Sequence, residues 1–381
     1  MHGSMDRRDF LRSAGAAAIV PAAIGGARVP PRPRRPLWPG YDAALVLDFL
    51  ASPGLFNTTL DSWLPEEMVR NALESGITAV NLTVSGGDFE GTVRRVAPWE
   101  ARIAAHPDAF LPVRSAADVA LAKETGRLGL IYGFQDATPL GDDPSRLEVF
   151  HDLGVRIIQL TYNGRNLVGD GCLEPGNAGL SRFGLGVVER MNELGLLVDL
   201  AHCGQRTTAD AVAASRAPVA VSHSGCRSVS DHPRSKRDEE LRAMADKGGV
   251  VGIYLMPFLI AGRAPVAADV IAHVERALDV CGEDHVGIGS DLSITPIDKR
   301  DQEYWRAHRE FVSRRKAAGT AAPGEEEDVL FYVEELNTPR RIERVADLLA
   351  ERGHPAARID KVIGGNFARL VREVWGSGGA A

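Results

Sequence analysis

From residue 43 onward, short apolar runs rich in β-branched residues and Leu alternate with stretches of helical period. The runs fall at 43–49 (AALVLDF), 78–83 (TAVNLT), 128–134 (LGLIYGF), 155–161 (VRIIQLT), 197–201 (LVDLA), 218–222 (PVAVS), 249–255 (GVVGIYL) and 285–290 (HVGIGS). Several are apolar at every position, as strands buried on both faces must be. Helical spacing marks 65–75, 183–194, 206–215, 238–247 and 265–281, and Gly76, Gly154, Gly195 and Gly248 sit where helices end. Eight strands alternating with helices over about 250 residues predict a (β/α)8 TIM-like barrel. A doubly wound open sheet is the alternative. No GxGxxG or GxxxxGK[ST] motif supports a nucleotide site. Either architecture presents ligands at the carboxyl ends of its strands.

What stands at those ends carries the chemistry. Strand 1 ends at Asp48-Phe49-Leu50, strand 2 at Asn81 and Thr83, strand 3 at Gln135-Asp136, and strand 4 at Tyr162-Asn163. The next two runs stop at His202 and His223, and the last at Asp291. Two imidazoles and a carboxylate converging on a barrel mouth make a zinc site with a position left for water. Asp291 then serves as ligand or as general base. The four cysteines, Cys172, Cys203, Cys226 and Cys281, show no CxxC spacing, and four thiols allow three pairings.

The 381 residues are 44% hydrophobic with a net charge of −7, and no basic run offers a nucleic-acid face. The N-terminus reads MDRRDFLRSAGAAAIVPAAIGGA, with Arg7-Arg8, then Phe10-Leu11, then a weak apolar stretch. This is the pattern of a twin-arginine export signal, expected over residues 1–28 with cleavage near Ala27. It is too short and too weak for a transmembrane helix. A Pro-rich linker is expected over 29–40 and the barrel over 41–376, with a periplasmic or extracellular location.

Longer pieces carry a family resemblance: GVRIIQLTYN (154–163), GLSRFGLGVVERMNELGLLVDLAH (179–202), SRAPVAVSHSGCRSVSDHPR (215–234), GGVVGIY (248–254), HVGIGSD (285–291) and IGGNFARLVREVW (363–375). In order and spacing the chain resembles the membrane dipeptidase (renal dipeptidase, M19) family of barrel metallopeptidases. The resemblance implies two zinc ions. One is held by a His-x-Asp after strand 1 and an Asp after strand 8. The other is held by histidines after strands 5 and 6, and a glutamate after strand 3 bridges them. His202 and His223 match the second-metal histidines, Asp291 the strand-8 aspartate, and Arg234 the arginine for the substrate carboxylate. A guanidinium fork suits that carboxylate. Asn163 is placed on the substrate side with Arg234. Homodimerisation is a family-level expectation.

The chain departs from the family at the other metal. Where the family reads Asp-Gly-His-x-Asp, this sequence has Asp48-Phe49-Leu50-Ala51-Ser52. Gln135 stands in place of the bridging glutamate, and Tyr162 replaces a histidine that stabilises the tetrahedral intermediate. Tyr162 is either a phenolic donor to the oxyanion or a space-filling ring. Two zinc ions bring four positive charges, and Asp291 is the one matched carboxylate left. The expectation is therefore one zinc on His202, His223 and Asp291, with Gln135 as a weak oxygen ligand. Asp291 and Tyr162 are the catalytic candidates, and a dipeptide or small dipeptide-like molecule is the substrate. The rivals are a small-molecule-binding protein without peptidase activity and a hydrolase of a non-peptide amide or lactone. The charged segment 295–338, with a helix near 300–317, either covers the mouth, forms a subunit contact or is a solvated insertion.

Overall fold

The structure is a computed structural model and describes residues 38–55 and 64–377. The expected export signal and most of the expected linker lie outside the described residues. Trp38, at the end of that linker, is buried in the main core cluster.

Eight parallel strands close a barrel, as the alternation predicts. They are β1 (Leu47–Asp48), β2 (Ala79–Thr83), β3 (Leu128–Phe134), β4 (Val155–Gln159), β5 (Leu197–Asp199), β6 (Ala220–Ser224), β7 (Val250–Ile253) and β8 (Val286–Ile288). Each pairs with the next, and β8 pairs with β1. A short strand that the reading of the sequence missed, Phe110–Pro112, pairs with the first half of β3 before β4 takes over that edge at Tyr132. Its three residues are too few for any periodicity to show.

Strand periodicity sorts the core into two clusters. Leu47, Ala79, Ile131, Ile157, Leu197, Ala220 and Val250 point inward with Phe367. Their neighbours Val46, Val80, Leu130, Ile158, Val198, Val221 and Val251 pack outward under the helices. The C-terminal helix Asn366–Ser377 closes the bottom. Its Phe367 stacks on Phe49 with ring centroids 3.6 Å apart. Gly287 makes room for it, since a Cβ there would collide with the Phe367 ring. With the amino-terminal end plugged, ligands have the carboxyl end of the barrel.

Candidate active site

The loop after β5 brings in His202, and β6 itself carries His223. By strict alternation His223 belongs to the outer face, because its neighbour Val221 packs there. A register shift between Val221 and Ser224 against β7 breaks the alternation and turns the ring inward. The kink needs small neighbours. A Cβ on Gly252 or Gly289 would strike the Ser222 carbonyl.

The two imidazoles meet at Nε2–Nε2 2.9 Å, both fully enclosed. Burial, with Arg234 next in weight, holds both well below the ordinary imidazole range, so both rings are neutral. Their outer nitrogens are anchored. The Asn163 amide is oriented by donating from Nδ2 to the Thr320 carbonyl at 2.8 Å, so its Oδ1 accepts from His202 Nδ1 at 2.6 Å. His223 Nδ1 lies 2.8 Å from Ser222 Oγ, which donates to Asp199 Oδ2 at 2.5 Å. With Asp199 ionised, both Nε2 lone pairs face one another. Such an arrangement is stable only around a cation or a shared proton. With Asp199 protonated and donating to Ser222, whose hydroxyl then donates to His223 Nδ1, His223 is the Nε2–H tautomer and the same chain closes without a cation. Asn163 directly, and Asp199 through Ser222, thus orient the two rings.

Asp291 follows β8 in a left-handed turn with φ 58°. Aspartate tolerates that conformation better than most residues. The turn is pinned by Asp291 N–H donating to the Leu50 carbonyl at 2.8 Å, and Leu292–Ser293 pairs with Ala51–Ser52 just beyond. The segment lacking the His-x-Asp ligands thus lies directly against Asp291. Burial pushes the Asp291 carboxyl up to about 7, opposed by Arg234 and Arg315. Tyr162 stacks on His202 with centroids 4.1 Å apart, and its hydroxyl accepts from Arg315 Nη1 at 3.1 Å. Burial raises this phenol above its ordinary value. Arg234 is buried and donates to the Ala201 carbonyl at 2.8 Å.

His202, Asp291, Tyr162, Arg234 and Gln135 all line one cavity of about 390 Å³ at the mouth. That volume lies at the small end of the range for small-molecule sites. His223 stands behind His202. Asn163, expected on the substrate side, is buried behind His202 with both polar ends engaged. Reading the sequence missed Arg315, Glu325, Phe311 and Phe331, which line the same cavity. They come from the 295–338 segment, whose helix Gln302–Ala317 covers the mouth. In the run Arg314-Arg315-Lys316 nothing local marks the middle residue as the inward one.

The donor set can be tested against the family's metals. Two ions do not fit. Leu50 and Ser52 offer neither imidazole nor carboxylate, Gln135 is neutral, and Arg234 and Arg315 already bring positive charge. For a single ion the facing Nε2 pair supplies two donors. Among the described residues no three His, Cys, Asp or Glu side chains stand together as a ligand set. Two imidazoles are one donor short of the usual three at a catalytic zinc.

A parallel barrel with imidazoles, an acid and guanidiniums gathered at its carboxyl mouth has the architecture of a barrel hydrolase. The chain belongs to the membrane dipeptidase family (peptidase family M19), whose profile it matches over residues 65–303. It is similar to a crystallised amidohydrolase from Pseudomonas aeruginosa, 32% identical, with 88% of this chain and 98% of that one covered at TM-score 0.75. It shares its fold with a Rhodobacter sphaeroides metallopeptidase liganded with a phosphinate mimic of the dipeptide L-Ala-D-Ala. That structure is 18% identical, with 87% of this chain and 99% of the other covered at TM-score 0.70. Among curated proteins it is 35% identical to dipeptidase verJ of Clonostachys rogersoniana over 47% of each chain. The chain spans about half the length of the curated relatives it matches.

Proposed function

We propose that this protein is an exported hydrolase that cleaves an amide bond in a dipeptide or dipeptide-like molecule, assisted by one divalent metal, zinc in the first instance. The observation that carries the reading is the His202–His223 pair, Nε2 to Nε2 at 2.9 Å with both outer nitrogens anchored. His202 and His223 would hold the ion, with Asp291 and Gln135 lining the same cavity. When bound, the ion supplies Lewis acidity and an acidified water.

The remaining work falls to the chain. Arg234, buried and positively charged, binds the substrate carboxylate. Asp291, held up to about 7, is poised to take a proton from water and return it to the leaving nitrogen near neutral pH. The water oxygen bonds to the carbonyl carbon, the C–N bond breaks, and the products are a carboxylate and an amine. The Tyr162 hydroxyl, accepting from Arg315, keeps its own proton for the developing oxyanion. Phe258, Phe311 and Phe331 exclude bulk water. The paired Arg7-Arg8 followed by Phe10-Leu11 supports export.

Elemental analysis of the full chain, purified without added metal and then offered zinc, tests this. About one zinc per chain is expected, absent in His202→Ala and in His223→Ala. With only two imidazoles converging, it should be lost on prolonged dialysis. No uptake in the wild type after zinc is offered would overturn the metal-assisted reading. The exchange to Leu50, Ser52 and Gln135 favours a second reading, a small-molecule-binding protein without peptidase activity. Zinc binding without turnover of any amide would establish that one.

A further inference from the structure

The charges lining the cavity define the substrate more narrowly than the family does, granted the amide-hydrolase reading above. Three guanidiniums, Arg95, Arg234 and Arg315, face two carboxylates, Asp291 and Glu325. Glu325 is fully engaged. Its two oxygens accept from Arg315 Nε at 2.6 Å and Nη2 at 2.8 Å, and Oε1 also accepts from Ala322 N–H at 3.0 Å. This pair is nearly closed to solvent, with side chains 14% and 5% exposed.

Arg234 forms no direct ion pair among the described residues, so Asp291 across the cavity offsets its charge only in part and an anion is favoured beside it. Asp291 already faces Arg234 and Arg315 as its strongest charged neighbours. With both acids ionised the wall sums to one positive charge. A free dipeptide is a zwitterion of net charge zero and adds an α-ammonium to this wall. No carboxylate is left over to receive it. The apolar part of the lining includes Trp99, Met256, Phe258, Phe311 and Phe331, which suits an uncharged apolar group. Phe311, Arg315, Glu325 and Phe331 all lie beyond residue 303, where the profile match ends.

We propose that the substrate is an N-acylated amino acid, its carboxylate on Arg234 and its apolar acyl group on the aromatic wall. A free dipeptide with an α-ammonium is disfavoured. Hydrolysis adds water across the same amide bond, giving a fatty or other carboxylate and a free amino acid.

The test uses the purified full chain with zinc present. Hydrolysis of octanoyl-, acetyl- and leucyl-derivatives of the common amino acids is followed by amine release. Binding of octanesulfonyl-leucine, which has the same charge but no cleavable amide, is measured by calorimetry on wild type, Arg234→Met and Arg234→Lys. The expected result is a kcat/KM for octanoyl derivatives at least about tenfold above that for leucyl derivatives. Sulfonamide binding is lost in Arg234→Met and partly kept in Arg234→Lys. Phe331→Ala lowers the octanoyl-to-acetyl ratio. Leucyl derivatives cleaved as well as octanoyl ones would overturn the proposal and leave the hydrolase reading standing. Sulfonamide binding without any hydrolysis supports the ligand class and overturns the hydrolase reading. Neither binding nor hydrolysis would overturn both.

Discussion

At the scale of single residues, Tyr162 joins the imidazole pair to the cap over the mouth. Its ring lies on His202 and its hydroxyl takes an N–H from Arg315. Tyr162→Phe preserves the ring and removes the donor. We expect kcat to fall by about a hundredfold, as for loss of one oxyanion donor, while zinc content stays unchanged. If instead kcat and zinc content both stay unchanged, the ring is only a spacer. His202, His223, Asp291 and Arg234 were legible in the sequence because each ends or follows an apolar run or matches a family motif. Arg315 was not. Its inward direction depends on helix placement over the mouth, and neighbours Arg314 and Lys316 share its chemistry.

At the scale of elements, the site depends on one irregular strand. β6 shifts register so that Ser222 reaches Asp199 while His223 reaches His202. Gly289 lets the Ser222 carbonyl press against the chain beside β8. Gly289→Ala forces that carbonyl away. We expect a loss of about 1–3 kcal/mol of stability and a loss of zinc larger than the stability change explains. Denaturant melts alongside elemental analysis separate the two effects. A variant that keeps its zinc would show that the bulge is not set by this contact. The apolar run 218–222 announced the strand but not its irregularity, because a bulge is fixed by backbone packing against β7 rather than by the residue types of β6.

At the scale of the whole molecule, Asp48 ties the ends of the barrel sheet together. Its carboxylate accepts from Ser290 N–H at 2.7 Å and from the Ser290 hydroxyl at 2.5 Å, across the β1–β8 seam. Burial nonetheless pushes it up to about 6 from an ordinary value of 3.8. An acid raised on folding binds its proton more tightly in the native state, so its ionised form opposes folding. That penalty is absent below about pH 4, grows as pH rises, and is complete above about pH 6, at about 3 kcal/mol. Between pH 7 and pH 4.5 wild-type stability should gain relative to Asp48→Asn. Parallel pH slopes in the two proteins would refute the assignment. Among the described residues no helix is long and apolar enough to cross a membrane.

The sequence by itself determined the barrel, its eight strands and the residues at their carboxyl ends. Hydrophobic period and strand length are local properties, and local properties survive in a string of letters. It also shows that Leu50 and Ser52, where the resemblance expects histidine and aspartate, carry neither imidazole nor carboxylate. Tertiary structure alone decided the rest. It placed Asn163 behind His202, outside the cavity lining. It turned His223 inward through a bulge, and brought Arg315 and Glu325 from more than a hundred residues after Tyr162 to the same cavity. Those outcomes depend on contacts between distant segments, and neither periodicity nor spacing within one segment encodes which side chain a distant loop will meet.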